Sequence, residues 1–152
     1  MKQQLISAVQ SERQAVFTAL EGIDDATLTM APVCGTWTAK EVLAHLAAVD
    51  TAVLGVLRQA RAGDAVTWAW DSATDGDSWN QSEVDRRRHR SIAQVREEIA
   101  ETHRTILAEV ESWPAESGPF GPDSWDAEKS PIGWLPAHDR EHTALLLKLR
   151  GG

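Results

Sequence analysis

Apolar residues along this chain recur every three or four positions, not every second one, so the pattern is helical. From about Lys2 to Gly22, the residues Leu5, Ala8, Val9, Val16, Ala19, Leu20 and Ile23 trace one helix face. Gly22 and Asp24-Asp25 end this segment. Glu12 falls on the same stripe. A carboxylate there either reaches water at the stripe's edge or faces an interior polar site. The second long helix has the clearest start in the chain. Thr38 and Glu41 form a capping box, and Trp37 and Val42 a hydrophobic staple. Its stripe runs through His45, Leu46, Val49, Val53, Val56 and Leu57 and stops near Gly63.

Residues 63–78, rich in Gly, Asp, Ser, Thr and Trp, read as a long connection. Asp77 or Ser78 then caps a short helix over about 79–89. Ser91 and Gln94 make a second capping box, opening a third long helix over about 92–112 with stripe Val95, Ile99, Ile106 and Val110. From Pro114 to Pro131 the turn residues Gly118, Pro119, Gly121, Pro122 and Asp123 predict a loop. The last helix starts after Ser130, with Pro131 at its first position, or around Leu135, with Pro136 kinking or marking the first turn. It carries Leu135, His138, His142, Leu145, Leu146 and Leu149 along one side and ends at Gly151. No convincing β-branched alternation appears. The fold class is all-α: a four-helix bundle with a short extra helix near 79–89. The connection between the second and third long helices can cross the bundle's length, which allows those two helices to run parallel.

A chain of 152 residues predicts one domain over 1–152, burying roughly two-thirds of its unfolded surface. The single cysteine, Cys34, excludes an intramolecular disulfide and a thiolate zinc cluster. The N-terminal segment is amphipathic, and no apolar run approaches the ~18 residues of a membrane span. The expectation is a cytoplasmic protein with no membrane partner. A net charge of −8 argues against nucleic acid, whose phosphates need a basic surface. The basic run Arg86-Arg87-Arg88-His89-Arg90 comes just after Glu83 and Asp85, and reads either as a salt-paired helix end or as a site for an anion. There are seven tryptophans and no tyrosine. Trp68, Trp70, Trp79, Trp113 and Trp125 fall in or beside connections, where several could line a cleft.

The candidate chemistry lies in the histidines. His138 and His142 are spaced i, i+4, which sets both imidazoles on one helix face about 5–6 Å apart at Cβ. Such a pair can bind one divalent metal ion. A third imidazole from another helix would complete three protein ligands and leave a position open, the arrangement of a catalytic site. His45 faces inward from the second helix and His103 lies near the stripe of the third. On spacing alone either can be that ligand, and either can be a hydrogen-bonded core residue.

The segment Trp37-Thr38-Ala39-Lys40-Glu41-Val42-Leu43-Ala44-His45-Leu46, together with Trp134-x3-His138-x3-His142, resembles the DinB/YfiT-like superfamily of bacterial four-helix bundles. The resemblance covers nearly the whole chain and implies up-down-down-up topology. It implies that His45, His138 and His142 bind one divalent metal, usually zinc or nickel, and leaves His103 structural. Family activities are mostly thiol chemistry, as in mycothiol-dependent maleylpyruvate isomerase and the mycothiol and bacillithiol S-transferases. Another branch, similar to colibactin self-resistance proteins, hydrolyses or sequesters an electrophile. The resemblance therefore implies a metal-dependent enzyme acting on a small-molecule substrate, most simply an S-transferase using a low-molecular-weight thiol. The alternatives are a hydrolase of a small electrophile and a non-catalytic binding or self-resistance protein. Family members are often dimers, which makes a homodimer an expectation.

Three neutral imidazoles leave a divalent metal its full charge, so it can lower the pKa of a bound thiol or water toward neutrality. Ligand type alone fits zinc, nickel, copper or iron. Carboxylates should hold the imidazole tautomers: Asp50, Asp139 and Glu12 are the candidates, whereas Glu41 is committed to its capping box and Glu141 faces outward. Glu12 is also the one candidate catalytic carboxylate, if the first helix borders the site. Trp37 and Trp134 sit beside the ligands and are expected pocket walls, joined by Trp68, Trp70 or Trp125. The loops 24–37 and 113–131 should border the mouth, with 63–78 covering it. Such a cleft suits a small organic molecule.

Overall fold

The computed structural model describes residues 1–151. Four long helices carry the architecture: α1 (Lys2–Leu20), α3 (Ala39–Ala62), α5 (Ile92–Glu111) and α6 (Leu135–Leu146). Shorter elements join them: α2 (Asp25–Met30), the hairpin of β1 (Pro32–Cys34) and β2 (Trp37–Thr38), α4 (Gly76–Arg86) and α7 (Lys148–Gly151). Both predicted capping boxes are present. Thr38 Oγ1 accepts from the Glu41 amide at 3.3 Å while Glu41 Oε1 accepts from the Thr38 amide at 3.1 Å. Ser91 and Gln94 repeat the exchange.

End contacts fix the topology. Arg13 meets Asp139, and further along Arg150 donates to the carbonyl of Ala19, so α1 and α6 run parallel. Lys40 reaches Arg88 just before α5, and Arg61 reaches Glu109 near its end, so α3 and α5 also run parallel. Lys2 at the start of α1 donates to the carbonyl of Glu111 at the end of α5, which makes the two pairs antiparallel. The result is an up-down-down-up bundle in which α1 packs along α6 and α3 along α5.

Several local expectations are corrected. Residues 24–38 hold a helical turn and a two-stranded hairpin. Asp24 caps the turn by accepting from the Thr27 amide, and Gly35, at φ 57°, turns the hairpin through the left-handed region that glycine enters without steric cost. α4 begins at Gly76, capped by Asp75 rather than Asp77 or Ser78. Of the two expected starts for α6, the structure has the one at Leu135, with Pro136 in the first turn, where a missing N–H leaves no bond unmade; Ser130 sits in the preceding turn. α6 stops at Leu146, not Gly151, and α7 turns so that Arg150 caps the last carbonyls of α1, those of Thr18, Ala19 and Glu21.

Two apolar clusters fill the bundle. One gathers Val16, Leu20, Leu28, Leu43, Leu46, Ile99 and Leu146; the other gathers Leu5, Val53, Leu57, Ile106, Val110 and Ile132. Where they meet along α1, α3 and α6, the buried residues turn polar: Arg13, His45, Asp50 and Asp139. Among the described residues, no helix is long and apolar enough to cross a membrane.

Candidate metal centre

α3 and α6 bring three imidazoles to one point. His138 Nε2 lies 3.2 Å from His45 Nε2 and 3.2 Å from His142 Nε2. One ligand nitrogen from each ring lies within 4.8 Å of the others. Two nitrogens on one tetrahedral zinc, at 2.0–2.1 Å each, stand about 3.3 Å apart. His45 comes from a helix whose first turn is fixed by the capping box, and the other two share the i, i+4 face of α6.

These nitrogens cannot satisfy one another. A neutral imidazole nitrogen offers one N–H or one lone pair, so His138 Nε2 can bond with one of its two neighbours and not both. The opposite nitrogens, Nδ1 of His45, His138 and His142, are buried without a partner. A cation at the centre of the three Nε2 lone pairs resolves that conflict, so the residues present fit a divalent metal. Electrostatics agree. Burial, helped by His142 and His138, pushes the His45 imidazole down to about 3. Burial, then His142 and Arg13, pushes His138 down to about 4. Burial lowers His142 as well, against the opposing pull of Asp139 and Glu141. All three rings are therefore neutral at physiological pH, with lone pairs free for a metal.

The carboxylates expected to orient the imidazoles do something else. Asp50 and Asp139 are both buried, and both close on Arg13 of α1, a residue that the sequence pattern does not single out. Arg13 Nη1 and Nη2 donate to Asp50 at 2.7 and 3.0 Å; Nε and Nη2 donate to Asp139 at 2.8 and 3.2 Å. Burial alone would lower the guanidinium's pKa, but the charges and hydrogen bonds of the two carboxylates outweigh it and raise it. Burial pushes Asp50 up, with Arg13 opposing. A signal exists in the chain: position 13 lies seven residues after Ile6 and three before Val16, on the stripe itself. An inward Arg facing inward Asp residues on two other helices has to be paired. Glu12, the remaining candidate, accepts from Arg140 Nη2 at 2.6 Å and does not line the cavity over the histidines.

That cavity has a volume of about 890 Å³ and is open to solvent. Trp37 and Trp134 both line it, their ring centroids 5.4 Å from His45 and 5.5 Å from His138. Trp70 and Trp79 complete an aromatic wall, and Trp68 backs Trp70 in a 4.6 Å stack. The hairpin segment Cys34–Trp37 borders the mouth as expected. The loop 113–131 does not; its place is taken by the start of α4. Trp125 is turned away, its indole N–H on the Ala115 carbonyl, and Trp113 packs under Arg61.

His103 is outside the cluster. It lines a separate groove with Arg13, and burial pushes it down to about 4. The basic run is salt-paired: Arg87 is buried between Glu83 and Glu98, Arg88 pairs with Asp85, and Arg90 with Glu98.

Comparisons with known proteins bear on this arrangement. No curated protein matches the sequence. Among solved structures, the chain is similar to the colibactin self-resistance protein ClbS in complex with a dsDNA. That pair is 15% identical, with a TM-score of 0.80 over 98% of this chain and 94% of that one. The chain is also similar to the sibling lethal factor precursor DfsB: 18% identical, TM-score 0.77, over 99% and 95%. Both likenesses concern the fold. They also overturn one inference: net charge argues against nucleic acid, yet a bundle of this fold is seen on DNA. Overall acidity is a sum over the surface and does not exclude a local phosphate contact. The sequence pattern of the DinB superfamily matches residues 8–146, nearly the whole chain, and the protein belongs to that superfamily.

Proposed function

We propose that this protein is a metal-dependent enzyme acting on a small organic molecule, with thiol-dependent group transfer as its reaction. The observation that carries the reading is the convergence of three neutral imidazoles in an open cavity with aromatic walls. His45, His138 and His142 would hold one divalent ion. When bound, such an ion lowers the pKa of a thiol beside it toward neutrality. Among the described residues no acceptor reaches the three Nδ1 atoms, so no carboxylate there raises the basicity of the imidazoles, and the ion would keep more of its acidity.

The chain's own residues supply placement. Arg13 locks α3 to α6 and thereby holds His45 against His138. Trp37 and Trp134 give apolar faces that exclude water on either side of the imidazoles. In the transfer, a thiol loses its proton to solvent through the open mouth. Its sulfur then forms a bond to an electrophilic carbon, and the leaving group departs with the bonding pair.

The test is direct. Protein purified without a histidine tag is assayed for metal, then for product formation from 1-chloro-2,4-dinitrobenzene with a panel of low-molecular-weight thiols and, separately, for hydrolysis of activated esters. The expected result is about one metal per chain, thiol-dependent product, and loss of both in His138→Gln. Ester hydrolysis without thiol dependence would replace transfer by metal-assisted hydrolysis. Metal-free protein that still binds ligands would point to a sequestering role, the reading to which the self-resistance function named for ClbS lends support.

A further inference from the structure

The cavity over the histidines carries side-chain charge of one sign. Asp77 in the first turn of α4 and Glu141 on α6 both line it, Glu141 against the expectation that it faces outward, and among the described residues no Lys or Arg does. A positive feature at its edge is the N-terminus of α4. That end is already answered by Asp75, which accepts from the Ser78 amide at 2.6 Å, and by Asp77 itself. An anionic group entering this space would find two carboxylates and no counter-charge other than a bound metal.

The walls point the same way. Trp70 stands edge-on to Trp79 and to Trp134, with ring centroids 5.2 and 6.1 Å apart, and Trp37 lies against His45. The indole N–H of Trp37 is bonded to Gln81 and that of Trp134 to the Pro131 carbonyl. With those donors engaged, neither indole brings a free N–H to the cavity, and what remains of each ring to meet a guest includes its face, the negative part of an aromatic ring. Tryptophan is the strongest of the aromatic residues in holding a cation over its face. Two carboxylates also match the charge of a divalent ion, so a cationic guest meets no net repulsion in the loaded site.

We infer that this cavity selects an organic cation, an aromatic or methylated ammonium group, over an anion of the same shape. The metal-dependent reaction would then act on a substrate bearing such a group away from its reacting atom. This inference rests on the proposed reading for the reaction but not for the binding preference. It also implies that thiols carrying carboxylates far from the sulfur are poor partners.

Isothermal titration calorimetry with 1-methylquinolinium and 1-naphthalenesulfonate, two flat bicyclic probes of opposite charge, tests it on metal-loaded and metal-free protein. The cation is expected to bind at least about tenfold more tightly in both forms, as cation–π contacts in a desolvated site allow. Asp77→Asn with Glu141→Gln, both exposed positions, should cut the preference severalfold while the fold, checked by circular dichroism, is retained. Trp70→Ala should weaken the cation most. Equal or tighter binding of the sulfonate overturns the inference. Metal content measured on the same samples separates the two readings. One metal per chain with no cation preference removes this inference alone; cation preference without metal uptake removes the metal reading and leaves this one.

Discussion

Arg13 and Asp139 form a two-pronged pair, Nε to Oδ2 at 2.8 Å and Nη2 to Oδ1 at 3.2 Å, one residue along α6 from His138. The other side of the same guanidinium holds Asp50, five residues along α3 from His45. A single cation from α1 thus sets the distance between the two helices that carry the histidines. Arg13→Met leaves two buried carboxylates without a counter-charge, and is expected to destabilise the fold by ~3–5 kcal/mol. Arg13→Lys cannot reproduce the fork and should lose much of that stability as well. Urea unfolding monitored by circular dichroism measures both. A loss under about 1 kcal/mol in Arg13→Met, the range of an exposed pair, would show that these contacts are not what holds α1, α3 and α6 together.

Replacing any one of His45, His138 or His142 by Gln is expected to abolish stoichiometric nickel or zinc uptake, read by mass spectrometry of desalted protein. His103→Gln should keep it, because His103 lies in a different groove. Retention in His45→Gln with loss in His103→Gln would reverse the ligand assignment.

Nickel added to metal-free protein should quench part of the tryptophan fluorescence. Trp37 and Trp134 lie within 5.5 Å of ligand rings, whereas Trp113 packs under Arg61, Trp125 is bonded to the Ala115 carbonyl, and neither lines the cavity. Trp37→Phe and Trp134→Phe should each shrink the quenched fraction, and Trp125→Phe should leave its amplitude unchanged. The idea fails if full nickel occupancy leaves the emission unaltered.

His103 makes stability depend on acid. Its folded pKa is pushed down to about 4, first by burial and then by Arg13, from an unfolded value of about 6.5. Above pH 6.5 both states are neutral there and the residue contributes no pH dependence. As pH falls from about 6.5 to about 4 the unfolded chain takes up a proton that the folded one refuses, so stability declines through that window. Below about pH 4 the loss is complete. Wild type should therefore lose stability relative to His103→Gln across that window, and parallel curves for the two proteins would refute the assignment.

Gly133 precedes Trp134 at the start of α6, and a Cβ there would meet the Ala127 carbonyl oxygen at 2.5 Å and that of Asp126 at 2.7 Å. The atoms met are all backbone, so no flexible side chain can give way. Gly133→Ala should displace Trp134, lowering thermal stability and altering ligand binding in the cavity together. Unchanged melting and binding would mean that the loop adjusts without moving the ring.

Much of this molecule is legible in its sequence. The four long helices and both capping boxes come from patterns that are local or repeat at helical spacing, and His138 with His142 is itself a local pattern; spacing leaves His45 and His103 open as the third histidine, and the family resemblance selects His45. Helix α1 is bounded within two residues because Gly22 and Asp24 come directly after it. What escapes is tertiary. Arg13 stays hidden because one charged residue on a stripe means little until its partners on α3 and α6 are known, and its neighbour Glu12 looks equally inward. The expectation that the 113–131 loop borders the cavity's mouth comes from helix ends alone; which connection folds over a bundle depends on packing that periodicity does not encode. The hairpin at 32–38 is three and two residues long, too short for alternation to register. Net charge does not exclude nucleic acid, because it averages over the whole surface while a bundle of this fold is seen on DNA.

The sparse seam between α3 and α6 has an evolutionary consequence. Each of these helices is packed along its length against a different neighbour, α5 or α1, and they meet one another over a short stretch. The cavity occupies that seam, and its walls come from Trp37, Trp70 and the start of α4, elements outside the four long helices. Substitutions there change what the cavity admits without reopening either helix pair. A lineage built on this plan can exchange one guest for another while inheriting the three imidazoles unaltered, so divergence among relatives should gather on the walls and leave the floor in place.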